Sequence, residues 1–302
     1  MGNLHISLIQ TDLFWEDKFR NLEMLGKKIA ATETASQIVV LPEMFTTGFS
    51  MQPKLFAETM EGPTIEWMVE QAALHKIIIT GSIIIEEDNK FYNRLLWVLP
   101  NGQVAYYNKR HLFAYAGEDK EYTPGNKRLI AQVNGWKICL QICYDLRFPV
   151  WARKQTPDEY DLLLYVANWP SRRSLAWKTL LCARAIENQC YVVGVNRVGN
   201  DAHGNYHSGD SMVVNPLGEL LYHCADREDM HTITLTKEEL RRQKNRDYQR
   251  EYMKKYYHER SAVDSAYLEK HRESARKAVA KQRAKYKEAF DFIINNNISV
   301  KA

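Results

Sequence analysis

Trp136-Lys-Ile-Cys-Leu-Gln-Ile-Cys143-Tyr-Asp-Leu-Arg-Phe-Pro149 passes within fourteen residues from an apolar run of strand length, through a charged turn, to a proline suited to open a helix. Similar units flank it. His5–Gln10, Gln37–Leu41, Ile77–Ile85, Phe91–Leu99, Gln103–Tyr107, Asp161–Ala167, Tyr191–Asn196, Ser211–Val214 and His231–Leu235 read as further strands. Pro100-Asn101-Gly102 between two of them is a hairpin signal. Amphipathic stretches Trp15–Thr34, Thr64–His75 behind Pro63, and Leu175–Gln189 read as helices, with another after Pro149. The strands are nearly unbroken apolar runs, as expected where both faces are covered. The pattern predicts a layered α/β fold with one core over residues 1–240.

Beyond Thr236 the chain changes character. Residues 237–290 contain neither glycine nor proline and are rich in Lys, Arg, Glu, Ala and Gln, which predicts a basic, helical extension. Taken as 241–302, it holds 17 Lys or Arg against 8 Asp or Glu, a local charge of +9. The total charge is +4, so the first 240 residues carry −5. Tyr248, Tyr252 and Tyr256 recur every fourth residue as an aromatic stripe, and Asn295–Ala302 reads as a frayed end. A basic helix with interleaved tyrosines suits a nucleic acid or another anionic partner; the plainer expectation is a solvated or oligomer-packing helix.

Hydrophobic content of 45% and charged content of 26% are those of an ordinary globular enzyme. The apolar runs are too short to cross a bilayer, so no membrane partner is expected. Met1-Gly-Asn-Leu-His-Ile-Ser lacks a basic start followed by an apolar stretch, and a cytoplasmic location is expected. Five cysteines without a CxxC predict reduced thiols and no structural metal.

Three segments place a reactive side chain where a strand gives way to a loop: Leu41-Pro42-Glu43, Tyr107-Asn108-Lys109 and Ile142-Cys143-Tyr144. Sheet ends fix a side chain while the loop exposes it. Singly, each has a plain reading: a solvated Glu, a surface Lys, a core-filling Cys. Together they are the parts a thiol nucleophile needs. A thiol is weakly ionised at neutral pH, a carboxylate beside it can take its proton, and an ammonium can hold the oxyanion formed on carbonyl attack. A Cys143–His111 pair is the rival constellation, but it leaves Glu43 and Lys109 without a role. Asp145 and Arg147 read as an ion pair supporting the nucleophile turn, and Arg184 with Glu187 as a helix-surface pair.

In order and spacing these segments resemble the Glu–Lys–Cys triad of the nitrilase, or carbon–nitrogen hydrolase, superfamily, over residues 4–238. Within it the chain is most similar to the bacterial omega-amidase branch, through Cys143-Tyr-Asp-Leu-Arg-Phe-Pro149, Asn168-Trp-Pro170 with Arg173 and Trp177, and Ala183-Arg-Ala-Ile-Glu-Asn-Gln189. True nitrilases typically carry Trp-Glu after the cysteine, so Tyr144-Asp145 points to amides. The resemblance implies a four-layer α-β-β-α sandwich with the C-terminal helical extension added, dimerised through a helical layer to a homodimer.

It also implies Cys143 as nucleophile, Glu43 as base, and Lys109 with the Tyr144 N–H as oxyanion donors. A second glutamate, six residues before the proline of a Thr-Pro-Gly turn, is Glu118, with Glu121 its rival. The implied reaction is hydrolysis of a small-molecule 2-oxo acid monoamide through a thioester, with no cofactor. Arg173 (or its neighbour Arg172) is the candidate for binding a substrate carboxylate, and Trp169 for lining the acyl site. N-carbamoyl or other aliphatic amides are the alternative substrates, and a binding protein working through its basic tail is the alternative class.

Overall fold

The computed structural model describes residues 2–155, 159–241, 253–255, 258, 269–270, 272–281 and 283–284. The chain divides into two compact units, Met1–Gln243 and Lys244–Ala302. In the second unit the described residues are helical, with Glu273 and Lys277 paired one turn apart at 2.8 Å. The tyrosine stripe and the closing stretch predicted for the extension lie outside the described residues.

The first unit begins with β1 (Leu4–Gln10), α1 (Lys18–Ala30), β2 (Ile38–Val40), α2 (Pro53–Phe56), α3 (Pro63–His75), β3 (Ile78–Glu87), β4 (Lys90–Val98) and β5 (Val104–Asn108). It continues through α4 (Glu118–Glu121), β6 (Leu129–Val133), β7 (Trp136–Ile142), α5 (Pro149–Ala152), β8 (Leu162–Ala167) and α6 (Ser174–Asn188). Strands β9 (Tyr191–Asn196), β10 (Val198–Asn200), β11 (Tyr206–Val214), β12 (Leu220–Ala225) and β13 (Asp229–Leu235) complete it. One sheet runs β13-β1-β2-β3-β4-β5; the other runs β10-β11-β9-β8-β7-β6, with β12 beside β11. The central pairs β1–β2–β3 and β7–β8–β9 are parallel, and the edges are antiparallel.

Strand alternation builds the layers. Ile38, Val40, Ile78, Leu95 and Trp97 join Ile138, Leu140 and Ile142 of the second sheet in one apolar cluster, so the sheets face each other. Their neighbours Val39, Ile79, Leu96 and Val98 point the other way, onto Leu25 and Ile29 of α1 and Ile65, Met68 and Ala72 of α3. On the outer face of the second sheet, Trp177 and Leu181 of α6 sit against Gly194, where an added Cβ would lie 2.6 Å from Leu181. The result is the α-β-β-α sandwich expected from the sequence.

Two predicted boundaries moved for physical reasons. Helix α1 starts at Lys18 rather than Trp15 because the Asp17 carboxylate caps it, accepting from Arg20 N at 3.1 Å. Strand β11 starts at Tyr206 rather than Ser211, its first half being His207, Ser208, Gly209 and Asp210, buried yet without an apolar signal. Strands β6, β10 and β12, all at or near sheet edges, have no counterpart in the sequence reading. All five cysteines are free thiols. Among the described residues no helix is long and apolar enough to cross a membrane.

Candidate active site

The loop after β2 stays fastened to β3. Leu41 N donates to Thr80 O at 2.7 Å, Met44 N to Ser82 Oγ at 2.9 Å and Phe45 N to Ser82 O at 3.1 Å. Gly81 permits this approach, since a Cβ there would lie 2.8 Å from both Leu41 and Phe45. The following residue, Met44, takes a left-handed φ of 43°. Glu43 is thereby turned inward and fully buried. Its Oε1 accepts from Lys109 Nζ and Asn93 Nδ2, both at 2.8 Å, and its Oε2 from Asn168 N at 2.8 Å.

Lys109 follows β5 directly. Its backbone is held by Asn93 O at 2.9 Å and Gly125 N at 2.8 Å. Gly125, in the Thr-Pro-Gly turn, comes so close to Asn108 that a Cβ would meet its carbonyl oxygen at 2.2 Å. The buried ammonium reaches Glu118 Oε1 at 3.0 Å and Oε2 at 2.9 Å as well as Glu43. Glu118 opens α4, is fully buried, and accepts from Phe113 N at 2.6 Å. Its rival Glu121 lies exposed at the other end of α4. Burial works against the Lys109 charge, but the carboxylates of Glu118 and Glu43 outweigh it and hold the ammonium protonated. Burial, only partly offset by Lys109 and reinforced by Glu43, raises the Glu118 carboxyl.

Cys143 follows β7 at a φ of +43°, a strained value for a non-glycine residue and one found where a reactive side chain must be aimed. The turn is pinned by Asp145. Its Oδ2 accepts from Tyr107 OH at 2.7 Å and Ile142 N at 3.1 Å, and its Oδ1 from His111 N at 2.9 Å. His111 Nδ1 lies 2.8 Å from the same Oδ1, and the imidazole stacks on Phe148 at 3.7 Å. The Asp145–Arg147 pair expected from the sequence is therefore absent. Asp145 takes His111 as its partner instead, and Arg147 lies over the Trp169 ring at 5.3 Å. This pairing also explains His111 without a Cys–His dyad. Arg184 does pair with Glu187, at 2.8 Å, and also donates to Leu146 O at 2.6 Å, tying α6 to the nucleophile turn.

The Cys143 thiol faces the Glu43 carboxyl group. Burial first, and then the Glu43 charge, push this thiol well above the ordinary range, with Lys109 pulling the other way. The resting sulfur is thus a neutral thiol. Cys143 keeps 8% exposure, whereas Glu43 and Lys109 have 0% and 1%, so sulfur is the cluster's outlet to solvent.

That outlet opens into a pocket lined by Cys143, Tyr144, Phe49, Phe113 and Trp169, with Arg147, Arg172 and Arg173 in its wall. Trp169 is held by its Nε1 bond to Arg173 O and by Asn196 Oδ1, each at 2.8 Å. The Arg173 guanidinium lies 5.0 Å from the Phe113 ring and 5.1 Å from the Tyr115 ring. Burial and the like charges of Arg172 and Arg147 lower its pKa. Asp201 also lines the pocket, but its carboxylate already accepts from His203 N and from the Asn205 N–H and amide at 2.8–2.9 Å. His207, lowered to about 4 by burial and by Arg197, presents a neutral ring. Glu43, Lys109, Glu118, Cys143, Tyr144, Trp169 and Arg173, all singled out in the sequence, therefore fall in one place. Asn93 was missed, Asn168 was noted only as part of the resemblance, and Arg147 was read as the partner of Asp145. The signal that could have found Asn93 is a polar residue inside the apolar run Phe91–Leu99. Among the described residues no three His, Cys, Asp or Glu side chains are grouped to hold a metal ion.

A family model for carbon-nitrogen hydrolases matches residues 5–245. Omega-amidase YafV of Escherichia coli (strain K12) is 43% identical over 248 residues, covering 82% of this chain and 94% of the relative. The 2-oxoglutaramate amidase of Bacillus subtilis (strain 168) is 32% identical over 219 residues, covering 72% and 84%. The crystal structure of XC1258, a CN-hydrolase superfamily protein from Xanthomonas campestris, superposes with a TM-score of 0.79 at 43% identity, covering 82% of this chain and 95% of that one.

Proposed function

The chain belongs to the carbon–nitrogen hydrolase family and is an enzyme acting on amides; from that premise we propose that it hydrolyses the terminal amide of a small 2-oxo acid monoamide, such as 2-oxoglutaramate, to the acid and ammonia. The observation that carries this reading is the Glu43 carboxylate. It bonds the Lys109 ammonium and faces the Cys143 thiol, behind a pocket walled with arginine.

The cycle follows from that geometry. Sulfur attacks the amide carbonyl as Glu43 takes the thiol proton, so no free thiolate accumulates beforehand. The oxyanion is held by Lys109 and the Tyr144 N–H; one such donor contributes about 3–4 kcal/mol to the transition state. Glu43 returns the proton to nitrogen, the C–N bond breaks and ammonia leaves a thioester. Water then gives a proton to Glu43 and attacks the thioester, the C–S bond breaks, and sulfur recovers the proton as the acid departs. Glu118 keeps Lys109 charged and placed throughout. At the far end, Arg173 with Arg147 receives the substrate carboxylate, and Trp169 and Phe113 flank the short acyl chain.

The supporting similarities are to an omega-amidase and a 2-oxoglutaramate amidase. Ammonia release across 2-oxoglutaramate, 2-oxosuccinamate, glutamine, an N-carbamoyl amino acid and a simple nitrile tests the reading. The highest kcat/KM is expected for 2-oxoglutaramate; preference for the N-carbamoyl compound would overturn the substrate assignment.

A further inference from the structure

Strand β4 carries one polar side chain into the catalytic cluster. Alternation along β4 turns Asn93, Leu95 and Trp97 toward the space between the sheets, while Arg94 faces away and bonds Asn108 Oδ1 at 2.7 Å. Asn93 is fully buried. Its Nδ2 donates to Glu43 Oε1 at 2.8 Å and to Glu118 Oε1 at 3.2 Å. Lys109 Nζ bonds these same two oxygens at 2.8 and 3.0 Å. The two carboxylates are thus joined by two bridges, one cationic and one neutral. The Asn93 Oδ1 is buried without a partner among the described residues, so the amide is oriented by its donor end alone. Its backbone oxygen receives Lys109 N at 2.9 Å, which ties the neutral bridge to the cationic one.

Two carboxylates so close, sharing one ammonium, leave the cluster one negative charge in excess, and the ordinary relief is for one of them to bind a proton. A proton on Glu43 removes the base. We infer that Asn93 is a positioning residue of the reaction: its amide bridge keeps Glu43 ionised and aimed at Cys143 despite the neighbouring Glu118 carboxylate. The titratable groups facing Glu43 are Lys109 after β5, Glu118 on α4, Cys143 after β7 and, behind Glu118, Tyr122, whose hydroxyl donates to Ser50 O at 2.6 Å. Of these, only Lys109 supplies positive charge. An amide donor therefore stabilises the doubly ionised state without adding a charge that would draw Glu43 away from sulfur.

This inference rests on Glu43 being the base, so Glu43→Gln is measured alongside. The experiment is the pH dependence of kcat/KM for ammonia release from 2-oxoglutaramate, with melting temperatures, for the wild type, Asn93→Leu and Asn93→Ser. Leu keeps the branched skeleton of Asn and removes both polar atoms; Ser is the fallback should the larger Leu prevent folding, because its short hydroxyl cannot span the two carboxylates. Losing a donor to the ionised carboxylates raises their pKa. The acidic limb of the profile is expected to move to higher pH by about one unit, through kcat rather than KM. Activity is expected to recover toward wild type on the alkaline side. A loss equal at every pH, or an unmoved limb in both variants, overturns the inference. If Glu43→Gln itself stays active, it is the assignment of the base that fails.

Discussion

Behind Cys143, one ammonium and two carboxylates are sealed from water, and both carboxylates bond the same ammonium. In front of it, Arg147, Arg172 and Arg173 stand around a solvent-facing pocket, and among the described residues none of the three forms an ion pair with a carboxylate. The rear cluster finds all its partners within the protein, and packing of both sheets holds it. The front wall is half of an interaction, with cations in place for an anion the protein does not supply. Burying charge is costly unless it is paired, so the rear is where damage should be severe. Charge at a wet surface is screened, so the front should respond in substrate affinity rather than in stability.

The strongest break is Lys109→Met. It leaves Glu43 and Glu118 buried side by side without a cation, and stability should fall by about 3–5 kcal/mol, with ammonia release lost. Thermal unfolding at neutral pH checks this, and a wild-type melting temperature would contradict it. Next comes Arg173→Met in the front wall. KM for 2-oxoglutaramate should rise about 10- to 100-fold, equivalent to one charge-assisted hydrogen-bonded contact, with little change for a neutral amide and none in melting temperature. Equal effects on both substrates would remove Arg173 from the carboxylate site.

The mildest probe compares the two sides at the sulfur itself. Burial and the Glu43 charge both disfavour the thiolate, so the Cys143 pKa is raised and the thiolate fraction at neutral pH is small. Iodoacetamide labelling of Cys143, followed by peptide mass spectrometry, should keep rising beyond about pH 8.5, where an ordinary thiol begins to level off. A plateau below that pH would mean that the cluster activates the thiol in advance.

The parts of this arrangement that could be read in the sequence are those where composition and position agree. Leu41-Pro-Glu43, Asn108-Lys109 and Ile142-Cys143 each join an apolar run to a reactive side chain, and the resemblance to a known triad put them in one site. Glu118 was separable from Glu121 only by its spacing to Pro124; the structure adds the reason, since only the first residue of α4 points at Lys109. Asn93 was hidden because a polar residue inside an apolar strand has no periodic signature of its own. Arg147 was assigned to Asp145 on proximity in sequence, whereas Asp145 is occupied by groups 34 and 38 residues away, His111 and Tyr107. The first half of β11 escaped for a related reason: its buried polar residues are satisfied by long-range hydrogen bonds such as Ser174 Oγ to Asp210 Oδ2 at 2.7 Å, which no local pattern announces.

The central claim is that Cys143 attacks an amide with Glu43 as its base, and the most direct measurement is ammonia release from 2-oxoglutaramate by the wild type and by Cys143→Ala at matched melting temperature. One ammonia per acid formed is expected from the wild type and no release above buffer from the variant; turnover retained in Cys143→Ala would contradict Cys143 as the nucleophile.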